Sequence, residues 1–224
     1  MRYHIDTIPV WDAYKQAGEC PLCDLRSASE QSYLESFLGA SVMEPAVRIE
    51  VNEKGFCQRH FAQMLSMKNR LGLALMTHTH LKETMASLTP AASKNGGHLR
   101  RKKAVPETSG TCVLCDRLTN TMNRYLYTAL YLWARDTDFR KAFNASKGLC
   151  LPHYRGLAAM ALEALPAADA QAFLKALESL QQENIARIEK ELEWFTLKFD
   201  YRNADKPWGS SKDALERAIR KLRG

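Results

Sequence analysis

Cysteine and histidine occur in four short motifs whose spacing suits metal ligation. All six cysteines of the 224-residue chain lie in these motifs. They form two Cys-x-x-Cys and two Cys-x-x-His pairs: Cys20 and Cys23, Cys57 and His60, Cys112 and Cys115, and Cys150 and His153. Zn²⁺ prefers four thiolate or imidazole ligands in a tetrahedron, and a Cys-x-x-Cys knuckle supplies two of them. Because residues i and i+3 share one helical face, each Cys-x-x-His pair can supply the other two.

The four motifs are two copies of one arrangement, offset by 92 residues. Between the two motifs of a copy there are 33 residues in the first copy and 34 in the second. Identical residues also recur at the same offset: Leu22 and Leu114, Asp24 and Asp116, Tyr33 and Tyr125, Leu34 and Leu126, Leu38 and Leu130, and Arg48 and Arg140. The repeat predicts one supersecondary unit used twice. We therefore predict one zinc ion per copy, held by the following sets: Cys20, Cys23, Cys57 and His60, and Cys112, Cys115, Cys150 and His153.

Cysteines can also form disulfides, act as redox thiols or ligate iron–sulfur clusters. Disulfides suit exported chains, and the N-terminus lacks the apolar run of a signal peptide. A thioredoxin-like redox Cys-x-x-Cys needs a βαβ context, which the helical flanks do not supply. An iron–sulfur cluster remains the main alternative, because three cysteines and one histidine can ligate it. The alternative function is thus an iron–sulfur or thiol-redox enzyme, whereas closed four-ligand zinc sites predict no catalytic residue.

The flanking sequence predicts an all-α fold. An Asp follows each Cys-x-x-Cys and is well suited to begin a helix, here over residues 24–43 and 116–135. A shorter segment is expected to return the chain, so that Cys-x-x-His opens the next helix beside Cys-x-x-Cys. The prediction is two homologous helical modules, each stapled by a Cys3His site, followed by a long helix and a C-terminal tail.

Two apolar stripes at helical spacing are predicted to be core. The first contains Phe61, Leu65, Leu71, Leu75, His78, Leu81, Met85 and Leu88. The second runs along the long helix through Phe173, Leu177, Leu180, Ile188, Leu192, Phe195 and Phe199. A homodimer seam along this second stripe is the alternative.

Composition divides the chain into four parts. Residues 1–89 form the first module and 111–165 the second, while residues 90–110 are rich in Gly, Pro and Ser and predict a flexible linker. Residues 166–224 contain the long helix and the C-terminal extension. The linker carries the basic run 100–103, which we interpret as solvated. Nucleic acid is not an expected partner despite the net charge of +7, because no aromatic residues alternate with the basic ones.

The tail after the long helix is a candidate binding surface for a protein partner or a small ligand. Its candidate residues are Tyr201, Arg202, Asn203, Asp205 and Trp208. They combine a cation, a carboxylate, an amide and large aromatics in a loop, a mixture common in recognition sites. The alternative is a structural strap in which the aromatic side chains hold the tail on the helices.

The remaining sequence is that of an ordinary globular protein, with 46% hydrophobic and 25% charged residues. Without a signal peptide or a membrane-spanning stretch, the expected location is the cytoplasm. The CPLC…GFCQRH and CVLC…GLCLPH motifs, with the FDYRN…PWG tail, resemble the uncharacterised bacterial DUF6062 family. This resemblance covers the whole chain and implies a bacterial, helical, cysteine-rich protein. It implies no activity and no catalytic residue.

Overall fold

The chain is helical throughout the part that the structure describes, residues 4–88 and 112–224 of a computed structural model. Those ranges contain ten α-helices, short 3₁₀ turns and no strand, which confirms the all-α prediction. The helices are α1 (His4–Lys15), α2 (Pro21–Leu38), α3 (Pro45–Lys54), α4 (Gln58–Ser66), α5 (Arg70–Leu88), α6 (Val113–Arg135), α7 (Thr137–Ala145), α8 (Leu151–Ala164), α9 (Ala167–Leu197) and α10 (Ala214–Arg223). The predicted linker 90–110, with its basic run 100–103, lies outside the described residues.

The contacts divide the chain into two compact units. Unit 1 comprises Met1–Ser27 and Thr121–Gly224, and unit 2 comprises Ala28–Asn120. The two boundaries fall inside α2 and α6. This division differs from the four parts predicted from composition, because the predicted modules 1–89 and 111–165 each contribute residues to both units.

Unit 1 has an aromatic core built from α1, α6, α7 and α9. Tyr14 stacks on Phe143 at 5.6 Å between ring centroids, Phe143 lies 5.6 Å from Phe173, and Phe173 meets Trp133 edge to face at 5.0 Å. Four members of the predicted long-helix stripe are buried here: Phe173, Leu177, Leu180 and Ile188. This half of the stripe is core, as predicted.

The corner between α6 and α7 is fixed by Asp136. Its carboxylate accepts hydrogen bonds from the backbone N–H groups of Asp138 and Phe139, which are unpaired donors in the first turn of α7. The Trp11 indole of α1 donates to the same carboxylate at 3.2 Å. These hydrogen bonds hold the pKa of Asp136 below its ordinary value, and the one from the Phe139 backbone N–H contributes most.

Unit 2 packs α3 against α5 around a separate core. Its fully buried side chains include Phe37, Val51, Met64, Met76 and Leu114. The start of α5 approaches the end of α2 closely. A Cβ on Gly72 would lie 2.6 Å from the carbonyl oxygen of Leu38, so only glycine fits there.

The stripe predicted as core on α5 is largely exposed. Leu71, Leu75, Leu81, Met85 and Leu88 are between 38% and 71% exposed, so their prediction as core residues was wrong. The buried face of α5 consists instead of Gly72, Leu73 and Met76. Since both faces are apolar, periodicity alone could not identify the one that packs.

Within the described residues, no helix combines the length and the apolar character needed to cross a membrane.

Candidate metal centres

The eight predicted ligand residues come together in two groups of four, but not in the predicted combination. One group, the unit 1 centre, consists of Cys20, Cys23, Cys150 and His153. The other, the unit 2 centre, consists of Cys57, His60, Cys112 and Cys115. In each group all ligand atoms lie within 4.8 Å of one another. The prediction that each copy holds its own ion was therefore wrong, because each Cys-x-x-Cys faces the Cys-x-x-His of the other copy.

The two helices between the motifs of each copy differ in length. In the first copy α2 has 18 residues and α3 has 10, lengths of about 27 Å and 15 Å. In the second copy α6 has 23 residues and α7 has 9, about 35 Å and 14 Å. The second helix of each copy is therefore much shorter than the first.

The unit 2 centre forms where two chain segments are joined by hydrogen bonds. Gly55 turns the chain with a φ of 65° into the extended Cys57, which begins α4. The backbone N–H of Val113 donates to the carbonyl oxygen of Gly55 at 3.1 Å. Lys54 forms an ion pair with Asp116 at 2.7 Å. These contacts bring Cys57 beside the Cys-x-x-Cys motif at the start of α6.

Distances in the unit 2 centre fit a single tetrahedral ion. The His60 Nδ1 lies 3.2 Å from the Cys57 and Cys112 Sγ atoms and 3.5 Å from the Cys115 Sγ. The Cys57 and Cys115 Sγ atoms are 3.9 Å apart. Zinc bond lengths of about 2.3 Å to sulfur and 2.0–2.1 Å to nitrogen place tetrahedral ligands about 3.5 Å (S to N) and 3.8 Å (S to S) apart.

A carboxylate outside the four ligands orients His60. The His60 Nε2 lies 2.9 Å from the Glu30 Oε1, and Arg59 contacts the same oxygen at 2.7 Å. The His60 side chain is fully buried and that of Glu30 is 14% exposed. With Nδ1 facing the thiols, the ring proton belongs on Nε2, where Glu30 accepts it. Such carboxylate–histidine pairs commonly hold the imidazole of a metal site in one orientation.

The unit 1 centre is built on the start of α8. Gly148 turns the chain with a φ of 72°, and the extended Cys150 begins the helix. The Gln181 side chain of α9 fixes the intervening Leu149, because it accepts from the Leu149 N–H at 3.1 Å and donates to the Leu149 carbonyl at 2.8 Å. This local backbone matches that at Gly55 and Cys57.

Distances in the unit 1 centre are equally short. The His153 Nδ1 lies 3.2 Å from the Cys150 Sγ, 3.4 Å from the Cys23 Sγ and 3.5 Å from the Cys20 Sγ. The Cys23 and Cys150 Sγ atoms are 3.4 Å apart. The nitrogen–sulfur separations agree with tetrahedral ligation as well as those of the unit 2 centre, whereas the sulfur–sulfur separation is about 0.4 Å shorter than the tetrahedral value.

The C-terminal helix α10 anchors the backbone beside the unit 1 centre. Its Lys221 is 1% exposed and donates to the backbone carbonyls of Glu19 and Lys147. Glu19 precedes the first ligand, Cys20, and its carboxylate forms an ion pair with Arg187 at 2.7 Å. A Cβ on Gly224 would lie 3.4 Å from the Cys150 Sγ, so the end of α10 contacts the ligand sulfurs.

The three thiols of each centre compete for negative charge. In unit 1 the neighbouring Cys20 and Cys23 thiols lower the pKa of Cys150 to about 3, whereas hydrogen bonding to Cys150 raises the pKa of Cys23. In unit 2 burial raises the pKa of Cys115 to about 12. Burial also opposes ionisation of Cys57, but the His60 backbone N–H and the neighbouring thiols lower its pKa overall. A cation is needed before all three thiols of a centre can ionise together, so each cluster suits a metal ion.

The predicted tail residues form a compact loop of their own. Asn203 donates to the Leu197 carbonyl at 2.9 Å, and Arg202 forms an ion pair with Asp200 within the loop. Trp208 packs against the rings of Phe195 and Phe199. Tyr201 is 86% exposed and Asp205 is also exposed. The contacts of Asn203 and Trp208 with α9 agree with the strap alternative, the ion pair of Arg202 stays within the loop, and the binding surface stays a prediction.

Sequence reasoning missed three residues that organise these regions: Glu30, Lys221 and Lys198. The Lys198 ammonium is buried and donates to the carbonyls of Asn203, Ala204 and Lys206 at 2.6–2.8 Å, which closes the tail loop. None of the three lies in a motif. Each acts on a residue or carbonyl that only the fold brings near, so the sequence carried no signal for them.

These features define an all-α protein with two Cys3His clusters, each able to hold a metal ion. The chain belongs to the family described as "Family of unknown function (DUF6062)", whose model matches residues 1–224, the whole chain. No curated protein and no solved structure matches it significantly.

Proposed function

We propose that the protein binds two Zn²⁺ ions, one in each centre, and that these ions are structural parts of an interaction or regulatory protein. The observation that carries the proposal is the pair of tetrahedral ligand sets, in which four side-chain atoms lie within 4.8 Å of one another. Each set offers four protein ligands and leaves no position for a substrate, as in structural zinc sites. When bound, the ion supplies positive charge that keeps the three thiols ionised.

Ligand spacing favours a single ion over an iron–sulfur cluster. A cluster places ligands of different irons on opposite sides of its sulfide core, farther apart than the 4.8 Å limit observed in each centre. Three soft thiolates and one imidazole also suit zinc by ligand type. The thiols require a reducing compartment to remain free, which supports the cytoplasmic location proposed from the sequence.

The structural role follows from the magnitude of zinc binding. Structural zinc contributes about 10–16 kcal/mol of apparent binding free energy in zinc-finger peptides, as much as the whole stability of a domain. Each centre also joins segments that are distant in sequence, such as Cys23 and Cys150, 127 residues apart. Removing both ions with a chelator should therefore lower the melting temperature sharply. An unchanged melting curve after verified metal removal would contradict the structural role.

Two double variants of the full chain test the centres and their pairing together. Cys20→Ser with Cys150→Ser removes two ligands from the unit 1 centre and leaves the unit 2 centre intact. Cys20→Ser with Cys57→Ser removes one ligand from each centre. Elemental analysis after exposure to a weak chelator should find one zinc per chain in the first variant and almost none in the second. Cobalt substitution should give the thiolate charge-transfer spectrum of an intact centre only in the first.

The outcomes separate the alternatives. If the ions were bound within each copy, the two variants would exchange their results. Iron with acid-labile sulfide in protein purified without oxygen would replace zinc with the iron–sulfur alternative. Wild-type protein without metal would refute both.

A further inference from the structure

Helix α5 exposes a long apolar face after packing its other face into the core of unit 2. Leu71, Met85 and Leu88 are 71%, 66% and 57% exposed. The opposite face, with Leu73 and Met76, is buried against α3 and its neighbours. Contiguous apolar patches of this kind on soluble proteins commonly mark an interaction site.

The exposed residues follow a heptad pattern. Leu71, His78 and Met85 occupy one position of the heptad, and Ala74, Leu81 and Leu88 occupy the other. All six are exposed, over about two and a half heptads. A stripe with 3.5-residue spacing is the surface that one helix presents to another in a coiled coil.

The chain segment that follows α5 does not match this stripe. Residues 89–111 contain only two large aliphatic residues, Leu99 and Val105, and six charged ones. Such a composition cannot supply a second row of apolar side chains to six seam positions. A row of apolar side chains on another molecule is the better match for this face.

We infer that a second copy of this chain packs its own α5 against this face, antiparallel and about a two-fold axis. The stripe is complementary to itself when one copy is reversed: Leu71 then lies opposite Leu88 of the second copy, and His78 opposite Leu81. The small Ala74 lies opposite the long Met85, so the two rows interdigitate. In a two-fold interface each contact occurs twice, so this match applies to both halves.

Charge and area also fit a pair of identical helices. Helix α5 carries only three charged residues, Arg70, Lys82 and Glu83, so two copies meet without strong like-charge repulsion. The exposed apolar side chains offer roughly 500 Å² per copy, or about 1,000 Å² in the pair, near the lower limit for a specific interface. The expected dimer is therefore one that dissociates on dilution.

The inference goes beyond the structural role of zinc and is tested on the full, zinc-loaded chain. Sedimentation equilibrium at rising protein concentration should show a reversible monomer–dimer equilibrium. Leu71→Glu places a carboxylate opposite the apolar Leu88 in each half of the seam and should raise the dissociation constant at least about 100-fold. Met85→Glu should act in the same way. The matched control is Leu162→Glu, because Leu162 on α8 is 67% exposed and lies outside the stripe.

A wild-type protein that stays monomeric throughout would overturn the inference. It would also fail if the Leu71→Glu and Met85→Glu variants dimerised as strongly as Leu162→Glu. Zinc content is measured on the same samples and should be two ions per chain in every variant. A zinc content other than two would refute the proposed function and leave the dimer result standing, so the two failures are distinguishable.

Discussion

The carboxylate of Glu30 should control the affinity of the unit 2 centre alone. Its Oε1 lies 2.9 Å from the His60 Nε2, the ring nitrogen that faces away from the thiols. In Glu30→Gln an oxygen acceptor remains but its negative charge is lost, so the imidazole is held less firmly and becomes a weaker ligand. In Glu30→Ala the acceptor is lost as well, and Arg59 loses its ion-pair partner.

The expected magnitude follows from the kind of interaction that is removed. Losing the outer partner of a ligating histidine typically lowers metal affinity about 10–100-fold. A hydrogen bond to a charged group contributes about 1.5–3 kcal/mol, which corresponds to the same range. The exposed fraction of Glu30 is only 14%, so water replaces the carboxylate poorly. We therefore expect the zinc affinity of the unit 2 centre to fall about 10-fold in Glu30→Gln and nearer 100-fold in Glu30→Ala.

The assay is stepwise transfer of zinc to a chromophoric chelator, followed by absorbance. The wild-type protein should release its two ions in separate steps, assigned with the Cys20→Ser, Cys150→Ser double variant that keeps only the unit 2 centre. Glu30→Gln should shift the unit 2 step and leave the unit 1 step unchanged. Glu35→Gln is the matched control, because Glu35 is on the same helix and its carboxylate accepts a hydrogen bond from the exposed Gln31 rather than from a ligating histidine. Equal shifts in both steps, or a Glu30→Gln curve like that of Glu35→Gln, would refute the positioning role.

Three further predictions concern stability and are measured by thermal and denaturant unfolding of the zinc-loaded protein. Phe143→Ala should lower the free energy of unfolding by about 3–5 kcal/mol, because the ring is fully buried between Tyr14 and Phe173. Phe199→Ala should lower it far less, because Phe199 is 76% exposed. Similar losses in the two variants would contradict the core assignment. Lys198→Met should lower the free energy of unfolding by about 2–3 kcal/mol, because it leaves three carbonyls without their donor. Arg202→Ala should leave the melting temperature nearly unchanged. If Arg202→Ala alone unfolded the protein, the exposed ion pair would be what holds the tail. Asp136→Ala should lower the melting temperature through loss of the α7 cap. Because the pKa of Asp136 is lowered in the folded protein, this stabilisation is complete above the ordinary pKa of 3.8 and disappears as the pH falls through the folded pKa. A difference in melting temperature between variant and wild type that stayed constant into strong acid would contradict this prediction.

The ligand residues could be found from the sequence, but not their combination. Their residue types and spacing are local, and zinc chemistry is specific enough to identify Cys150 and His153 as partners of other cysteines. The combination depends on where the helices begin and end and on how they pack. The predicted helix over residues 24–43 ends in the structure at Leu38, before a separate 3₁₀ turn, and the return helix α3 begins only at Pro45. An error of a few residues at a helix end changes the distance that the chain must return by several ångströms.

The burial of α5 could not be predicted for a different reason. Hydrophobic periodicity identifies an apolar stripe but does not say which neighbour covers it. On α5 the stripe through Leu71, Leu81 and Met85 is more regular than the buried face, which includes a glycine. The close approach of Gly72 to Leu38 decides the packing, and only the structure contains that contact. The stripe that indicated core is exposed instead, and it is the face on which we propose that a second copy packs.

The crossed pairing is the less favourable combination for an unfolded chain, so the helices must select it. The observed pairing closes a long loop, because Cys23 and Cys150 are 127 residues apart. Pairing within the first copy would close a much shorter loop, with 33 residues between its two motifs. Loop-closure entropy grows as (3/2)RT ln n, so the longer loop costs about 1 kcal/mol more. That difference is small beside the binding energy of a zinc ion. The packing of each folded unit, rather than proximity in sequence, therefore brings the four ligands of a centre together. The repeated motifs alone carry no information about the partner of each.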